Sequence, residues 1–292
     1  MKGTQMEKIK IGIHQHVFTS KLNEQNISAL DFIKEIGFNS MDINLRNTDF
    51  DFAKVIRKKA EKLGLILTGG GSLPKGKEII SQEKQKRAEA VEYMKELVRK
   101  AFELGISVYH GLFYATAGVF TGKGPTKEEF EYAVEGLKEV AVYSKQYGVS
   151  LGLEPANRYE NYMLNTVEDS IRMVDAINES NVGLLLDTYH MNIEEKDMFK
   201  SIVSARGKIF HFHVNENDRG IPGTGHIPWD DVFKALKEIN YDRIVAIESF
   251  VDNSIDIASV VAVWRRLSPS AEILSRDGYS FIKGMSEKYG LL

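Results

Sequence analysis

The sequence predicts an α/β protein in which residues 1–292 form one (β/α)8 barrel, the TIM barrel fold. Short apolar runs typical of buried strands alternate eight times with helical segments, and no low-complexity linker or block of charge divides the chain. Four of the predicted strands also end in a residue that can bind a metal ion. These residues recur at about the length of one strand–helix unit, as expected where roughly 250 residues are shared among eight units.

The first half of the chain contains four predicted strands, each followed by a helix. Gly37 and Gly64 end the first two helices, because glycine readily adopts the left-handed conformation that closes a helix. The third strand runs into Gly69-Gly70-Gly71, where a tight turn is favoured over a phosphate-binding loop because no Gly-Lys-Ser/Thr follows. The strands lie at 8–13, 40–45, 65–68 and 107–111, and the helices at about 28–36, 52–63, 81–104 and 126–147.

The second half of the chain repeats this alternation without a break. The loop 215–228, rich in glycine and proline, joins the seventh strand to its helix, and a loop after the sixth strand carries His190. The unbroken alternation favours a single domain over two. The strands lie at 150–153, 184–187, 209–212 and 244–247, and the helices at about 167–178, 198–205, 229–239, 255–267 and 275–289.

Composition excludes several classes of function. The net charge is −3 and there is no long basic run, so a nucleic-acid footprint is not expected. The absence of cysteine removes disulfides, thiolate zinc sites and cysteine nucleophiles, and it fits a reducing compartment. The N-terminal segment is polar, and no stretch approaches the roughly 18 apolar residues of a membrane span. We expect a soluble, cytoplasmic protein without a membrane or nucleic-acid partner.

Glu154, Asp187, His213 and Glu248 end four consecutive strands. Any one of them alone is more often a helix cap or a hydrogen-bonded core residue, but the carboxyl ends of barrel strands converge at the ligand-binding face. Carboxylates crowded together raise each other's pKa unless a cation neutralises them. The sequence therefore predicts one divalent metal ion per chain. Oxygen-rich ligands with one imidazole favour Mn²⁺, Mg²⁺ or Co²⁺, and Zn²⁺ stays an alternative.

Further polar residues near these strand ends are suited to holding a polar substrate. They are Glu160, His190 and Arg219, which lie in the connections after the fifth, sixth and seventh strands. Arg158 is interpreted as a structural ion-pair partner. His211 points to the same side of its strand as His213, because side chains alternate with a period of two. His211 either orients a ligand or fills the barrel interior, and both interpretations stay open.

Several ordered motifs resemble those of the ketose 3-epimerases, the D-tagatose/D-psicose 3-epimerase group of the xylose isomerase-like barrels. The resemblance covers most of the chain and is tightest from Glu154 onward. Its motifs are Glu-Pro-Ala-Asn-Arg-Tyr-Glu (154–160), Leu-Asp-Thr-Tyr-His-Met-Asn-Ile-Glu-Glu (186–195), His-Phe-His-Val-Asn-Glu-Asn-Asp-Arg (211–219), Pro-Gly-Thr-Gly (222–225), Pro-Trp (228–229), Ala-Ile-Glu-Ser-Phe (246–250) and Val-Trp-Arg-Arg-Leu (263–267).

The resemblance implies an activity, a ligand set and an assembly. It implies epimerisation at C3 of a free ketose through a cis-enediolate, which a metal at O2 and O3 would stabilise. Glu154 and Glu248 would exchange protons with opposite faces of C3 while also binding the metal. Metal ligation would involve Glu154, Asp187, His213 and Glu248, with Mn²⁺ favoured, and sugar binding would involve Glu160, His190 and Arg219. A homodimer or homotetramer is common in the family.

The sequence departs from the family pattern mainly in its first half. The segment 14–18, His-Gln-His-Val-Phe, stands where an aromatic-rich stretch is usual, the segment 112–116 lacks the common Trp, and Ser249 stands where proline is common. The resemblance places these positions at the far end of the sugar, so we expect them to set substrate preference. An epimerase or isomerase of another keto-sugar or keto-glycoside is the main enzymatic alternative.

Two further alternatives belong to other functional classes. The first is a DNA repair enzyme like the abasic-site endonucleases, which is disfavoured because those enzymes need a basic face and more histidines than the 7 present here. The second is a sugar-binding protein without catalysis, which is disfavoured because both predicted proton-transfer carboxylates are present.

Overall fold

The computed structural model describes residues 8–250 and 261–292, and its eight strands form a closed, all-parallel barrel in chain order. The predicted fold class is therefore confirmed. The strands are β1 (Lys10–His14), β2 (Ser40–Asn44), β3 (Ile66–Gly70), β4 (Val108–Gly111), β5 (Ser150–Leu153), β6 (Val182–Asp187), β7 (Ile209–His213) and β8 (Ile244–Ile247). The pairing of β1 with β8 closes the barrel.

Helices surround the barrel and supply the outer half of its apolar core. Their bounds are α1 (Ala29–Ile36), α2 (Phe50–Leu63), α3 (Lys84–Glu103), α4 (Lys127–Lys145), α5 (Val167–Ile177), α6 (Thr188–Glu194), α7 (Met198–Ser204), α8 (Trp229–Glu238) and α9 (Ala271–Lys288), with a 3-10 turn at Gln15–Val17. Within residues 8–250 and 261–292, no helix is both long and apolar enough to cross a membrane.

Local signals in the sequence define the helix ends. Gly37 and Gly64 have positive φ angles and close α1 and α2, as predicted. At the start of α4, Thr126 accepts the backbone N–H of Glu129, whose carboxylate accepts the N–H of Thr126 in return. This reciprocal capping satisfies two backbone donors that a helix start leaves without intrahelical partners.

The register between β6 and β7 aligns two residues of the predicted metal site. The pairing shifts by one residue between Leu184 and Leu185, and beyond the shift Asp187 pairs with His213. Neighbouring strands lie about 4.8 Å apart. The two side chains therefore leave the sheet side by side at its carboxyl end.

Three local predictions were wrong. Gly69 and Gly70 belong to β3 and do not form a turn, and a Cβ at Gly69 would lie only 2.8 Å from Leu45 Cδ1. His190 lies on α6, where we predicted a loop. Of the predicted helix 255–267, residues 255–260 fall outside the described residues, and 261–267 form turns and bends.

Candidate metal centre and active site

Glu154, Asp187, His213 and Glu248 converge at the carboxyl end of the barrel. Each offers one ligand atom, and these four atoms all lie within 4.8 Å of one another. Asp187 and His213 are the last residues of β6 and β7, whereas Glu154 and Glu248 directly follow β5 and β8. The barrel thus brings together the four residues that the sequence predicted as ligands.

Two atoms of this group are buried without a hydrogen-bond partner. His213 Nδ1 and Glu248 Oε2 are both orphaned in this way, and they lie 3.7 Å apart. His213 Nδ1 is also 3.7 Å from Asp187 Oδ2. A divalent cation would satisfy such atoms, because a carboxylate oxygen and an unprotonated imidazole nitrogen are its preferred donors. The donor set therefore fits a metal ion.

Asn215 holds two of the candidate ligands in place. Its Nδ2 donates to Asp187 Oδ2 at 2.7 Å, and its Oδ1 accepts the backbone N–H of Glu248 at 2.6 Å. Asn215 was not predicted from the sequence. The period-two series His211, His213, Asn215 is the signal that could have revealed it, since all three side chains project to the same side.

The protonation of the carboxylates reflects their crowding. Burial raises the pKa of Glu154 well above its usual value, and the nearby charges of Glu248 and Asp187 raise it further. Burial alone would also raise the pKa of Asp187, but His213, His190 and Arg219 outweigh burial and lower it to about 2. A group of carboxylates with such divergent proton affinities is typical of a functional site.

Arg219 is a buried cation beside the candidate ligands. Its Nη2 lies 3.3 Å from Glu248 Oε2 and 3.8 Å from Asp187 Oδ2. The guanidinium carbon also lies 4.3 Å from the centre of the Tyr189 ring. Arg219 has a φ angle of 60°, which is strained for a non-glycine residue. Ser249 supports this conformation by donating its hydroxyl to the carbonyl of Arg219 at 2.6 Å.

His190 faces Glu154. Its Nδ1 accepts the backbone N–H of Asn157 at 3.1 Å, which fixes the orientation of the ring. Its Nε2 is 3.5 Å from Glu154 Oε1 and 3.2 Å from Arg219 Nη2. Glu160 is oriented by the same asparagine, whose Nδ2 donates to its carboxylate at 3.1 Å.

One cavity of about 670 Å³ connects these groups to solvent. Glu154, Glu160, His190, His213, Arg219 and Glu248 all line it, whereas Asp187 lies fully buried beneath. A cavity of this size with convergent polar groups is typical of a small-molecule site. The sequence-predicted ligands and substrate-binding residues therefore surround a single space.

The segments that depart from the family pattern contribute unequally to this cavity. His14, His16 and Leu112 line it, whereas Phe113 is buried outside it against Tyr109. Ser249 is fully buried and is not part of the wall, so its predicted place at the far end of the sugar was wrong. Its hydroxyl acts on the backbone of Arg219, which lines the cavity.

His14 and His16, which line the cavity at the end of β1, are both neutral. Burial lowers the pKa of His14 to about 3, despite the opposing effect of Asp42. Burial likewise lowers the pKa of His16 well below its usual value, and His14 adds to the effect. His16 Nε2 lies 2.9 Å from Asn44 Nδ2. The cavity wall formed by these two residues therefore presents neutral hydrogen-bonding groups.

Arg158 and His211 lie outside the cavity wall. Arg158 forms an ion pair with Glu194 of α6, with Nε and Nη2 3.0 and 2.8 Å from its two carboxylate oxygens. The predicted structural role of Arg158 is confirmed. His211 is fully buried with Nε2 3.0 Å from Asp42 Oδ2. Asp42 was not identified from the sequence, although Ser40, Asp42 and Asn44 alternate along β2.

Residues 30–275 match the family model described as the xylose isomerase-like TIM barrel. A probable ketose 3-epimerase of Synechocystis sp. is 32% identical over 94% of this chain and 96% of its own length. The chain belongs to the ketose 3-epimerase family.

Other members of this family show the same extent of similarity. A D-psicose 3-epimerase of Enterocloster bolteae is 32% identical over 97% of both chains. A solved L-ribulose 3-epimerase structure superimposes with a TM-score of 0.90 at 29% identity, covering 97% of this chain and 96% of that one. The similarity to ketose 3-epimerases thus extends through the barrel and is not confined to the strand ends.

Proposed function

We propose that the protein is a metal-dependent 3-epimerase of a free ketose, of the D-psicose/D-fructose, D-tagatose or L-ribulose type. The observation that carries the proposal is the convergence of Glu154 and Glu248 with Asp187 and His213 around one cavity. Membership of the ketose 3-epimerase family supports the reaction type. The names of the relatives, one acting on psicose and another on ribulose, support a ketohexose or a ketopentose as substrate.

Glu154, Asp187, His213 and Glu248 would hold the divalent ion, for which Mn²⁺ is favoured and Co²⁺ or Mg²⁺ are alternatives. Three carboxylates and one imidazole, without sulfur, are the donor set that supports this choice. The ion supplies positive charge that favours loss of the C3 proton of a ketose, because the negative charge that develops spreads onto the adjacent carbonyl.

Proton transfer is assigned to Glu154 and Glu248. They follow β5 and β8, which are separated by two other strands, so their carboxylates approach the cavity from different parts of the barrel mouth. One carboxylate removes the C3 proton, and the other returns a proton to the opposite face, which inverts the carbon. The reaction can start from either epimer, because the two glutamates can exchange the roles of proton acceptor and proton donor.

Glu160, His190 and Arg219 are assigned to holding the sugar. All three line the cavity, and His190 and Arg219 are almost completely buried. Leaving a buried donor without a hydrogen-bond partner costs free energy. These groups should therefore favour a sugar whose hydroxyl groups match their positions over one that lacks them. Arg219 can donate to the sugar while its charge compensates the carboxylates of Asp187 and Glu248.

The decisive experiment follows the C3 hydrogen during turnover in D₂O. The metal-loaded protein is incubated with D-fructose, D-psicose, D-tagatose and L-ribulose, and the products are separated and analysed by NMR. We expect each product molecule to carry solvent deuterium at C3. Product that retains its original C3 hydrogen would contradict the two-carboxylate mechanism, and no epimerisation of any ketose would contradict the function itself.

Variants then test the two carboxylates separately. Glu154→Gln and Glu248→Gln should each lower epimerisation by about 10²–10⁴, the usual effect of losing a positioned acid or base. Metal content is measured in each variant, because lost occupancy would mimic lost proton transfer. Glu168→Gln, an exposed position on α5, is the matched control and should leave the rate unchanged.

A further inference from the structure

A second group of polar side chains lies inside the barrel, beneath the candidate metal site. This inner cluster consists of Asp42, His110, His211 and His213, and each of its members is at most 2% exposed. Asp42 is at its centre. Asp42 Oδ2 is 3.0 Å from both His211 Nε2 and His213 Nε2, and Asp42 Oδ1 accepts the hydroxyl of Thr68. His213 therefore belongs both to this cluster and to the metal site.

The inner cluster is not arranged as a second metal site. The rings of His110 and His211 are stacked, with their centres 4.3 Å apart and their planes at 8°. Lone pairs lie in the ring plane, so nearly parallel rings cannot direct them at one ion. The carboxylate of Asp42 is also already engaged by three hydrogen-bond partners. The cluster is better explained as a support for the site above it.

The two nitrogens of His213 face different surroundings. Nε2 points into the barrel towards Asp42, whereas Nδ1 lies 3.7 Å from both Asp187 and Glu248 and has no hydrogen-bond partner. Asp42 Oδ2 lies 3.0 Å from this Nε2, and the other oxygen of Asp42 accepts the hydroxyl of Thr68. An ionised carboxylate only accepts hydrogen bonds.

We propose that Asp42 is a positioning residue for the metal site, holding the proton of His213 on Nε2 and leaving the lone pair of Nδ1 for the cation. A carboxylate behind a ligating histidine fixes the tautomer and the ring orientation and makes the ligand more basic. Asp42 belongs to β2 and His213 to β7, so the interaction crosses the barrel interior. The inference rests on the proposed metal site and extends it by one residue.

The first test measures metal affinity in the purified protein after the metal has been removed. Mn²⁺ affinity is measured by competition with a chelator at alkaline pH, where protons compete least for Nδ1. Asp42→Asn keeps the shape of the side chain but removes its charge, and we expect binding to weaken about 10–100-fold. His213→Ala, which removes the ligand itself, should weaken binding by more than Asp42→Asn.

Thr68→Val is the matched control. It removes the hydroxyl that binds the other oxygen of Asp42 while leaving the contact between Asp42 and His213 intact. We expect its Mn²⁺ affinity to stay within about threefold of the wild type. An Asp42→Asn affinity within about threefold of the wild type would overturn the proposal. Equal losses in Asp42→Asn and Thr68→Val would also overturn it, because they would indicate general damage to the inner cluster.

Thermal unfolding separates positioning from a purely structural role. A structural role would lower the Tm of the metal-free and metal-loaded proteins equally, whereas weaker metal binding reduces the difference between the two. We expect Asp42→Asn to reduce that difference. Equal shifts in both forms would overturn the proposal.

The wild-type protein offers a test that does not depend on the folding of any variant. With ¹⁵N-labelled histidine and diamagnetic Mg²⁺ or Zn²⁺ bound, NMR identifies the protonated ring nitrogen. We expect His213 to carry its proton on Nε2, and a proton on Nδ1 would overturn the proposal. A wild-type protein that binds no divalent ion would overturn the proposed metal site and this inference together, whereas normal binding with the other tautomer would overturn only the inference.

Discussion

At the scale of single residues, two of the candidate ligands have a raised pKa. Burial and the charges of Glu248 and Asp187 raise the pKa of Glu154 well above its usual value. Burial would lower the pKa of His213, but Asp187, Asp42 and Glu248 outweigh it and raise that pKa well above 6.5. A metal ion requires both groups deprotonated. Protons and metal therefore compete for the same atoms.

This competition predicts that metal binding strengthens as the pH rises. Below the raised pKa values, each proton displaced by the ion should increase the apparent affinity about tenfold per pH unit. Calorimetry of Mn²⁺ binding in two buffers of different ionisation enthalpy would count the protons released. Glu154→Gln should release fewer of them than the wild type. Affinity that does not change with pH would contradict the assigned protonation.

The sequence predicted the strand-end residues because each interrupts an apolar run at a regular interval. Asp42 and Asn215 were not predicted from the sequence, for two different reasons. Asp42 lies within β2, and only the three-dimensional barrel brings it opposite His213 across the interior. Asn215 acts through hydrogen bonds to Asp187 and to the backbone of Glu248, and sequence spacing contains no information on such contacts.

At the scale of elements, two short helical pieces position groups at the cavity. The 3-10 turn Gln15–Val17 follows β1 and lies beside His14, and α6 follows β6 and carries His190. A seven-residue helix is shorter than the window over which hydrophobic periodicity can be read. The N-cap of α6 is Asp187 itself, whose side chain accepts the N–H of Tyr189 at 2.7 Å. A predicted metal ligand thus also starts the helix that holds a predicted sugar-binding residue.

The segment 14–16, at the end of β1, is expected to control substrate preference. His14→Phe and His16→Phe replace neutral hydrogen-bonding rings by apolar ones, so the relative kcat/KM for different ketoses should change by about tenfold or more. Metal content should stay at the wild-type level, because neither histidine is among the four candidate ligands. Phe113→Leu, buried outside the cavity wall, serves as the control. An unchanged ranking of ketoses would exclude this region as the determinant.

At the scale of the whole molecule, the alternation of strands and helices was sufficient to predict the barrel. Each βαβ unit has one favoured handedness, so eight consecutive units leave few alternatives to closure. The limits of α3 and α9 were less predictable, because polar and apolar residues mix at helix ends. We propose that residues 1–292 form one domain. A single domain of this kind should unfold in one cooperative transition.

The molecule is also expected to assemble into a homodimer or homotetramer. Tyr159 and Trp264 are 74% and 77% exposed in the single chain, and large aromatic side chains left in solvent often belong to interaction surfaces. Light scattering coupled to size exclusion should give two or four times the chain mass of 33.0 kDa. A monomer at micromolar concentration would contradict this prediction.

The site residues are distributed around the barrel so that a change of substrate preference would affect mainly one half of it. The four candidate ligands come from β5 to β8, whereas His14, His16 and Leu112 belong to the half built from β1 to β4. The second half thus carries both the candidate ligands and the residues assigned to holding the sugar, whereas the first half carries those expected to set the preference among ketoses. That preference could therefore be changed by exchanging the first half alone. Asp42 limits such an exchange. A replacement β2 strand would also need a side chain that accepts a hydrogen bond from His213 Nε2.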